Sequence, residues 1–113
     1  MLVVVKYNNI DKSYVSETNT VTLEITQYTE YRVYVYYGTY SYAFIIRVNR
    51  LGSSNTVNLT LPAGVTYNIV GIRTGTTEDI ETITFSINAN TEYTIILTKP
   101  GYSQTTIKLK TSL

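Results

Sequence analysis

The stretch EYRVYVYYGTYSYAFIIR at residues 30–47 decides the fold. Apolar and polar residues alternate on both sides of Gly38-Thr39, which is the pattern of two half-buried strands. Glycine at the first central position predicts a type II′ two-residue turn, and this turn fixes which residues face each other. One face then carries only apolar or aromatic side chains, so we predict that it belongs to the core. The pairs on this face are Tyr37 with Tyr40, Val35 with Tyr42, Val33 with Phe44, and Tyr31 with Ile46.

The opposite face of the hairpin combines charges with two large rings. Glu30 stands opposite Arg47, and the two are expected to pair across the strands. Tyr34 and Tyr36 lie close to small or aliphatic residues, and a soluble monomer rarely leaves such an apolar patch open. We therefore predict a contact surface, which a partner or another strand of the same chain would cover. Its residues are Arg32, Tyr34, Tyr36, Ala43 and Ile45.

The rest of the chain continues the two-residue period and is rich in strand-forming residues. It holds 20 Thr, 12 Tyr, 12 Ile and 11 Val against 3 Ala, a composition that fits pleated surfaces. We predict one domain over residues 1–113, an all-β antiparallel Greek-key sandwich of immunoglobulin-like or transthyretin-like kind with about 8–10 strands. The predicted strands are 2–7, 13–17, 20–26, 30–37, 40–49, 55–61, 64–72, 80–88, 91–98 and 104–110. Residues 75–79 are predicted to be a polar loop.

A local unit recurs three times along the chain. A strand begins at Thr20, Thr56 or Thr82, a short corner follows, and a tyrosine stands eleven positions after the threonine. A tyrosine in this place buries its ring between two sheets and bonds its hydroxyl to the corner backbone, as in tyrosine corners. The alternative is that these tyrosines contact a ligand. The residues are Tyr31, Tyr67 and Tyr93, and the recurrence also suggests a pseudo-repeat with halves near 1–50 and 51–113.

The second half of the chain resembles a known group of modules. The similarity lies in the corners LPAGVTYNIV (61–70) and NANTEYTIILTKPGY (88–102) and in the closing strand TTIKLK (105–110). On these motifs, the stretch from about Thr56 to Leu109 resembles PEGA and carboxypeptidase-regulatory-like (transthyretin-like) β-sandwiches. The resemblance covers about half of the chain and implies a non-enzymatic, often surface-displayed module. The Tyr-rich first half has no counterpart in this group, so one enlarged sandwich and two fused half-sandwiches both remain open.

The N-terminal run Leu2, Val3, Val4 and Val5 is continuously apolar, so both faces of this strand are expected to be covered. One hypothesis is strand exchange, in which the run completes a neighbouring subunit's sheet. The other is an ordinary first strand in its own sandwich.

The composition excludes several kinds of chemistry. There is no Cys and no His, which removes thiolate nucleophiles, the commonest general base and the commonest metal ligand. The acidic run at 78–81 fits a solvated loop better than a calcium site. The net charge of +1 argues against nucleic-acid binding. We expect no catalytic residues, metal or cofactor, and no enzymatic activity.

These exclusions leave a structural function as the first hypothesis. The protein would be a building or decorating unit of a surface assembly, bound to itself or to other coat or surface proteins as a homo-oligomer. Its location would be a virion or a cell surface, and because no signal peptide or membrane-inserting segment is recognised, a virion protein assembled inside the host is favoured. The Cys-free composition resembles coat and decoration proteins of viruses from hot-spring archaea. The alternative is a carbohydrate-binding module in which Tyr34, Tyr36 and their neighbours stack on a glycan.

Overall fold

A computed structural model describes residues 2–7, 13–16 and 18–113 of the chain. Within these residues all regular secondary structure is β, in two layers that form a sandwich, so the predicted all-β sandwich is confirmed. The strands are β1 (Leu2–Tyr7), β2 (Ser13–Ser16), β3 (Thr20–Ile25), β4 (Glu30–Tyr37), β5 (Tyr40–Leu51), β6 (Ser54–Leu61), β7 (Thr66–Ile69), β8 (Arg73–Thr76), β9 (Glu81–Ile87), β10 (Glu92–Thr98) and β11 (Thr105–Thr111).

The two sheets draw on both ends of the sequence. Sheet A has the strand order β2-β1-β4-β5-β6-β9, and sheet B has the order β3-β11-β10-β7-β8. Neighbouring strands are antiparallel except β3 and β11, which run parallel. The chain changes sheet at the connections β2–β3, β3–β4, β6–β7, β8–β9 and β9–β10. Residues 1–50 and 51–113 therefore contribute strands to both sheets.

The core lies between the two sheets and follows the two-residue period of the sequence. In β3, and in β4 and β9 apart from one end residue each, every second residue is buried while its neighbours are more exposed, as strand geometry requires. The buried side chains of both sheets form one apolar cluster, in which Val, Leu and Ile predominate. Each sheet consequently keeps one outer face, and the outer face of sheet A carries the surfaces considered below.

The central hairpin has the predicted register at every pair from Tyr37↔Tyr40 to Glu30↔Arg47. Gly38 has φ of 62° and no positive φ occurs at Thr39, in agreement with the expected type II′ turn. The predicted core face is wrong at its last pair, because Tyr37 and Tyr40 are 42% and 68% exposed. The Tyr37 ring lies 6.3 Å from the Tyr102 ring in the β10–β11 connection, and this contact covers it only in part.

The predicted strand 64–72 is in fact shorter, and a second strand follows it. β7 ends at Ile69, and the Ile72 amide donates to the Ile69 carbonyl across a turn in which Gly71 has φ of 77°. β8 then pairs with β7, so part of the predicted loop 75–79 is strand and the described residues form eleven strands. This edge strand was not predicted because its sequence, RTGT, is polar and shows no apolar alternation.

β1 lies inside sheet A, between β2 and β4. Val3 and Val5 are completely buried in the core, while Val4 on the other face is half-buried. This is the arrangement of an ordinary first strand in its own sandwich, and strand exchange would have to break the pairing of β1 with both neighbours. The side chain of Leu2 lies outside the described part of the structure. Among the described residues there is no helix long and apolar enough to cross a membrane.

Candidate functional site

An apolar groove of about 240 Å³ opens on the outer face of sheet A. Four of the five residues predicted as a contact surface line it, namely Arg32, Tyr34, Ala43 and Ile45. They come together because β4 and β5 pair in the predicted register, which places Arg32 beside Ile45 and Tyr34 beside Ala43 on the outer face. Tyr36 is not among the lining residues. It lies two pairs further toward the hairpin turn, opposite Ser41, and is 40% exposed.

The far side of the groove consists of residues that the sequence did not point to. Thr60 faces Ile45 across β5 and β6, and Leu61 and Pro62 continue β6 into the next connection. Ile80 precedes β9, whose first residue pairs with Leu61, and it is the most exposed large apolar residue of the described chain at 72%. Only the pairing of β5, β6 and β9 places these segments beside the hairpin, and that long-range order was not visible in the sequence.

The rim of the groove carries charges that already have partners. Arg32 Nε donates to Glu30 Oε2 at 3.0 Å, and this hydrogen bond and the Glu30 charge raise the pKa of the Arg32 guanidinium above its ordinary value. The Lys6 ammonium lies 5.4 Å from the centre of the Tyr34 ring, a cation–π contact. The predicted pairing of Glu30 with Arg47 is wrong, since Arg47 Nε donates instead to Asn49 Oδ1 at 3.2 Å.

The three recurring tyrosines are all at least partly buried but differ in what their hydroxyls do. Tyr93 packs against the core, and its hydroxyl accepts a hydrogen bond from the Asn88 backbone amide at 2.6 Å, across the corner between β9 and β10. Tyr67 is 3% exposed, and its ring lies over Gly75 on the paired strand β8. The Cβ atom of any other residue at position 75 would lie 2.5 Å from the Tyr67 hydroxyl, so only glycine fits there. Its hydroxyl has no hydrogen bond to any residue that the structure describes. Tyr31 is buried in the core on β4.

Two buried threonines hold the corners that connect the sheets. Thr77 Oγ1 donates to the Pro62 carbonyl at 2.6 Å and accepts from the Val65 amide at 3.0 Å. Thr111 Oγ1 likewise donates to the Asn88 carbonyl at 2.5 Å and accepts from the Thr91 amide at 3.1 Å. Neither threonine was predicted as a corner residue. Thr77 directly follows β8 and Thr111 ends β11, and nothing local in the sequence distinguishes them from the outward-facing threonines of other strands.

Tyr42, Tyr102 and Thr105 form a cluster at the end of the sandwich near the hairpin turn. Tyr42 and Tyr102 contact edge to face with ring centres 4.8 Å apart, so the turn at Pro100-Gly101 brings sheet B against the hairpin. Burial raises the pKa of the Tyr42 hydroxyl, and the nearby Thr105 hydroxyl partly opposes this shift. Thr105 is close without completing a hydrogen bond, and both hydroxyls are enclosed and unpaired among the described residues. This cluster stabilises the fold and offers no open site.

Comparison with protein-family models, with curated proteins and with solved structures found no match. In the described part of the chain no group of three or more acidic, His or Cys side chains is placed to hold a metal ion. In the acidic run, Asp79 Oδ1 accepts a hydrogen bond from the Ile80 amide at 2.8 Å, and Glu81 Oε1 forms a long ion pair with Arg73 Nη2 at 4.0 Å. The apolar groove therefore stands as the candidate site on its geometry alone.

Proposed function

We propose that the protein is a non-enzymatic structural unit of a surface assembly and that its copies associate through the apolar groove of sheet A. The observation that carries this proposal is the exposure of Ile80 beside a groove walled by Tyr34, Ala43, Ile45 and Pro62. Leaving this surface in water costs free energy, which association would recover at roughly 25 cal/mol for each Å² of apolar area covered.

A second copy of the chain fits this surface better than a charged partner does. The groove and the protruding Ile80 side chain are adjacent, so one copy can supply the protrusion that the other copy's groove receives. Such self-complementary patches are what a two-fold interface needs. The Arg32 charge on the rim is already neutralised by Glu30, so the partner does not have to bring an opposite charge. The low charged fraction of 15% also favours association over repulsion.

The setting of the assembly is proposed from two resemblances. The resemblance of the second half to surface-displayed PEGA and transthyretin-like modules supports a coat, decoration or filament unit. The Cys-free, Ile- and Tyr-rich composition supports a virion over a cell-surface filament. Both supports are resemblances, and the groove is the feature that an experiment can address.

Stacking of a glycan on the surface tyrosines was the alternative function. The Lys6 ammonium, 5.4 Å from the centre of the Tyr34 ring, already occupies one face of that ring. Tyr36 lies outside the groove, so the two rings do not line one common groove. No observation on this patch favours the alternative over association.

The test replaces single aliphatic residues and measures the dimer dissociation constant by sedimentation velocity. Ile80→Ser should raise the dissociation constant roughly thirtyfold, since an anchor residue contributes about 2 kcal/mol. Ile72→Ser is the matched control, because Ile72 is 45% exposed at the β7–β8 turn of the other sheet. Equal effects of the two substitutions would show that association, if present, does not use the groove.

A further inference from the structure

A second and larger depression of about 770 Å³ lies on sheet A, next to Glu30, where β4 begins. Its size falls within the range of pockets that hold small organic ligands, about 300–1,000 Å³. Its floor is a two-by-two array on adjacent strands, in which Arg47 is paired in register with Asn58, and Asn49 with Thr56. We propose that this polar groove binds an acidic saccharide, with the carboxylate on Arg47 and the ring hydroxyls on the side-chain amides of Asn49 and Asn58.

The positive charges of the groove are held in place and lack a carboxylate partner in the described structure. Arg47 Nε donates to Asn49 Oδ1, and Arg50 Nε donates to the Gly52 carbonyl, both at 3.2 Å. These bonds use the inner nitrogen of each guanidinium and leave the terminal nitrogens to a ligand. The carboxylate within the groove, Glu30, is bound to Arg32. Fixed guanidinium groups match carboxylate geometry, because they can donate two parallel hydrogen bonds.

The uncharged polar side chains match the hydroxyls of a sugar. Asn58 Oδ1 accepts from Thr84 Oγ1 at 2.9 Å, which fixes the orientation of the amide. A polyol can both donate to and accept from such groups, whereas a simple anion can only accept.

Tyr28 provides an apolar wall at the end of the groove. Its side chain is anchored because its hydroxyl donates to Asn55 Oδ1 at 2.9 Å, yet the residue remains 45% exposed. The exposed side chain of Leu51 continues this wall. An apolar wall beside amides and guanidinium groups suits a ligand with one apolar ring face, hydroxyls and a carboxylate. Nucleic acid fits less well, because two arginines on a chain of net charge +1 do not follow a phosphate backbone.

The test is calorimetric titration of the intact protein with oligomers of galacturonate, glucuronate and guluronate. The matched neutral probes are their methyl esters, and inorganic sulfate and a thymidine oligonucleotide represent the other anions. We expect at least one acidic oligomer to bind, its ester to bind at least tenfold more weakly, and sulfate and oligonucleotide to bind more weakly than the acid. Absence of binding by all three oligomers would overturn the proposal, as would an equal affinity for an ester, for sulfate or for the oligonucleotide.

Variants locate the binding. Arg47→Gln and Asn58→Ala should each weaken binding at least tenfold, whereas Lys110→Gln, an equal loss of charge on an exposed residue of sheet B, should not. Equal weakening by Lys110→Gln would mean non-specific attraction and would refute the site. Because this groove has no lining residue in common with the apolar groove, a failure here leaves the proposed association unaffected, and the reverse is also true.

Discussion

Replacing Thr77 by valine tests how the sandwich fixes its corners. The substitution keeps the shape of the side chain and removes only its hydroxyl, so no cavity is created. The Val65 amide, in a completely buried residue, then loses its hydrogen bond, and so does the Pro62 carbonyl. An unsatisfied buried donor costs about 1–3 kcal/mol, and the partly buried carbonyl adds about 1 kcal/mol, so the variant should be less stable by about 2–4 kcal/mol.

Thermal and urea unfolding followed by circular dichroism measure this loss. For 113 residues the unfolding entropy is about 0.24 kcal/mol/K, so each kcal/mol lowers Tm by about 4 °C and the whole effect by about 8–16 °C. Thr76→Val is the matched control, because the neighbouring Thr76 is exposed and its hydroxyl bonds only the surface hydroxyl of Thr66. The control should stay within about 0.5 kcal/mol of the parent.

Thr77→Ser provides the rescue, since serine retains the hydroxyl and should recover most of the lost stability. A Thr77→Val protein that melts like the parent would refute the reasoning. So would a Thr76→Val protein that loses as much stability as Thr77→Val, because the effect would then be a general property of this segment.

Three further outcomes are expected. Tyr93→Phe should lower the free energy of unfolding, measured in urea, by about 1 kcal/mol, because it removes the acceptor of the Asn88 amide hydrogen bond. Tyr67→Phe should leave that free energy nearly unchanged, and a larger loss for Tyr67→Phe than for Tyr93→Phe would contradict the hydrogen bonding described above. Tyr42→Phe should be as stable as the parent or more stable at pH 7 because the lost hydroxyl is unpaired. Burial raises the pKa of the Tyr42 hydroxyl, so the folded state favours its protonated form. The parent should therefore lose stability relative to Tyr42→Phe as the pH rises above about 10. If the difference between the two melting temperatures stays constant from about pH 9 to 12, this expectation is wrong. Deleting residues 2–7 should abolish folding because β1 pairs with two strands of sheet A, and a folded monomer of the truncated chain would instead support strand donation.

The sequence predicted what depends on short-range pattern. Alternation and the Gly38 turn were enough for the central hairpin and its register, and for the residues of one wall of the apolar groove. β8 was missed because its residues are polar and it is an edge strand with a single partner. Ile80 joins the groove only through the pairing of β9 with β6, which no local pattern encodes.

The side-chain hydrogen bonds were the least predictable part. Threonine serves on this chain both as an outward strand residue and as the buried group that holds a corner, and the two uses look alike in sequence. Thr77 becomes a corner residue because Pro62 and Val65 lie beside it in space, twelve or more positions away along the chain. The pairing of Glu30 with Arg32 instead of Arg47 was equally hidden, because side-chain conformation decides between two nearby arginines.

The claim that copies of the chain associate is tested most directly by sedimentation equilibrium of the parent protein, without ligand, over a wide concentration range. We expect a weight-average mass that rises with concentration from the monomer value of 12.8 kDa to at least twice that value. A mass that remains at 12.8 kDa up to about 1 mM, where half of the chains would already be paired by a contact of only about 4 kcal/mol, would contradict association.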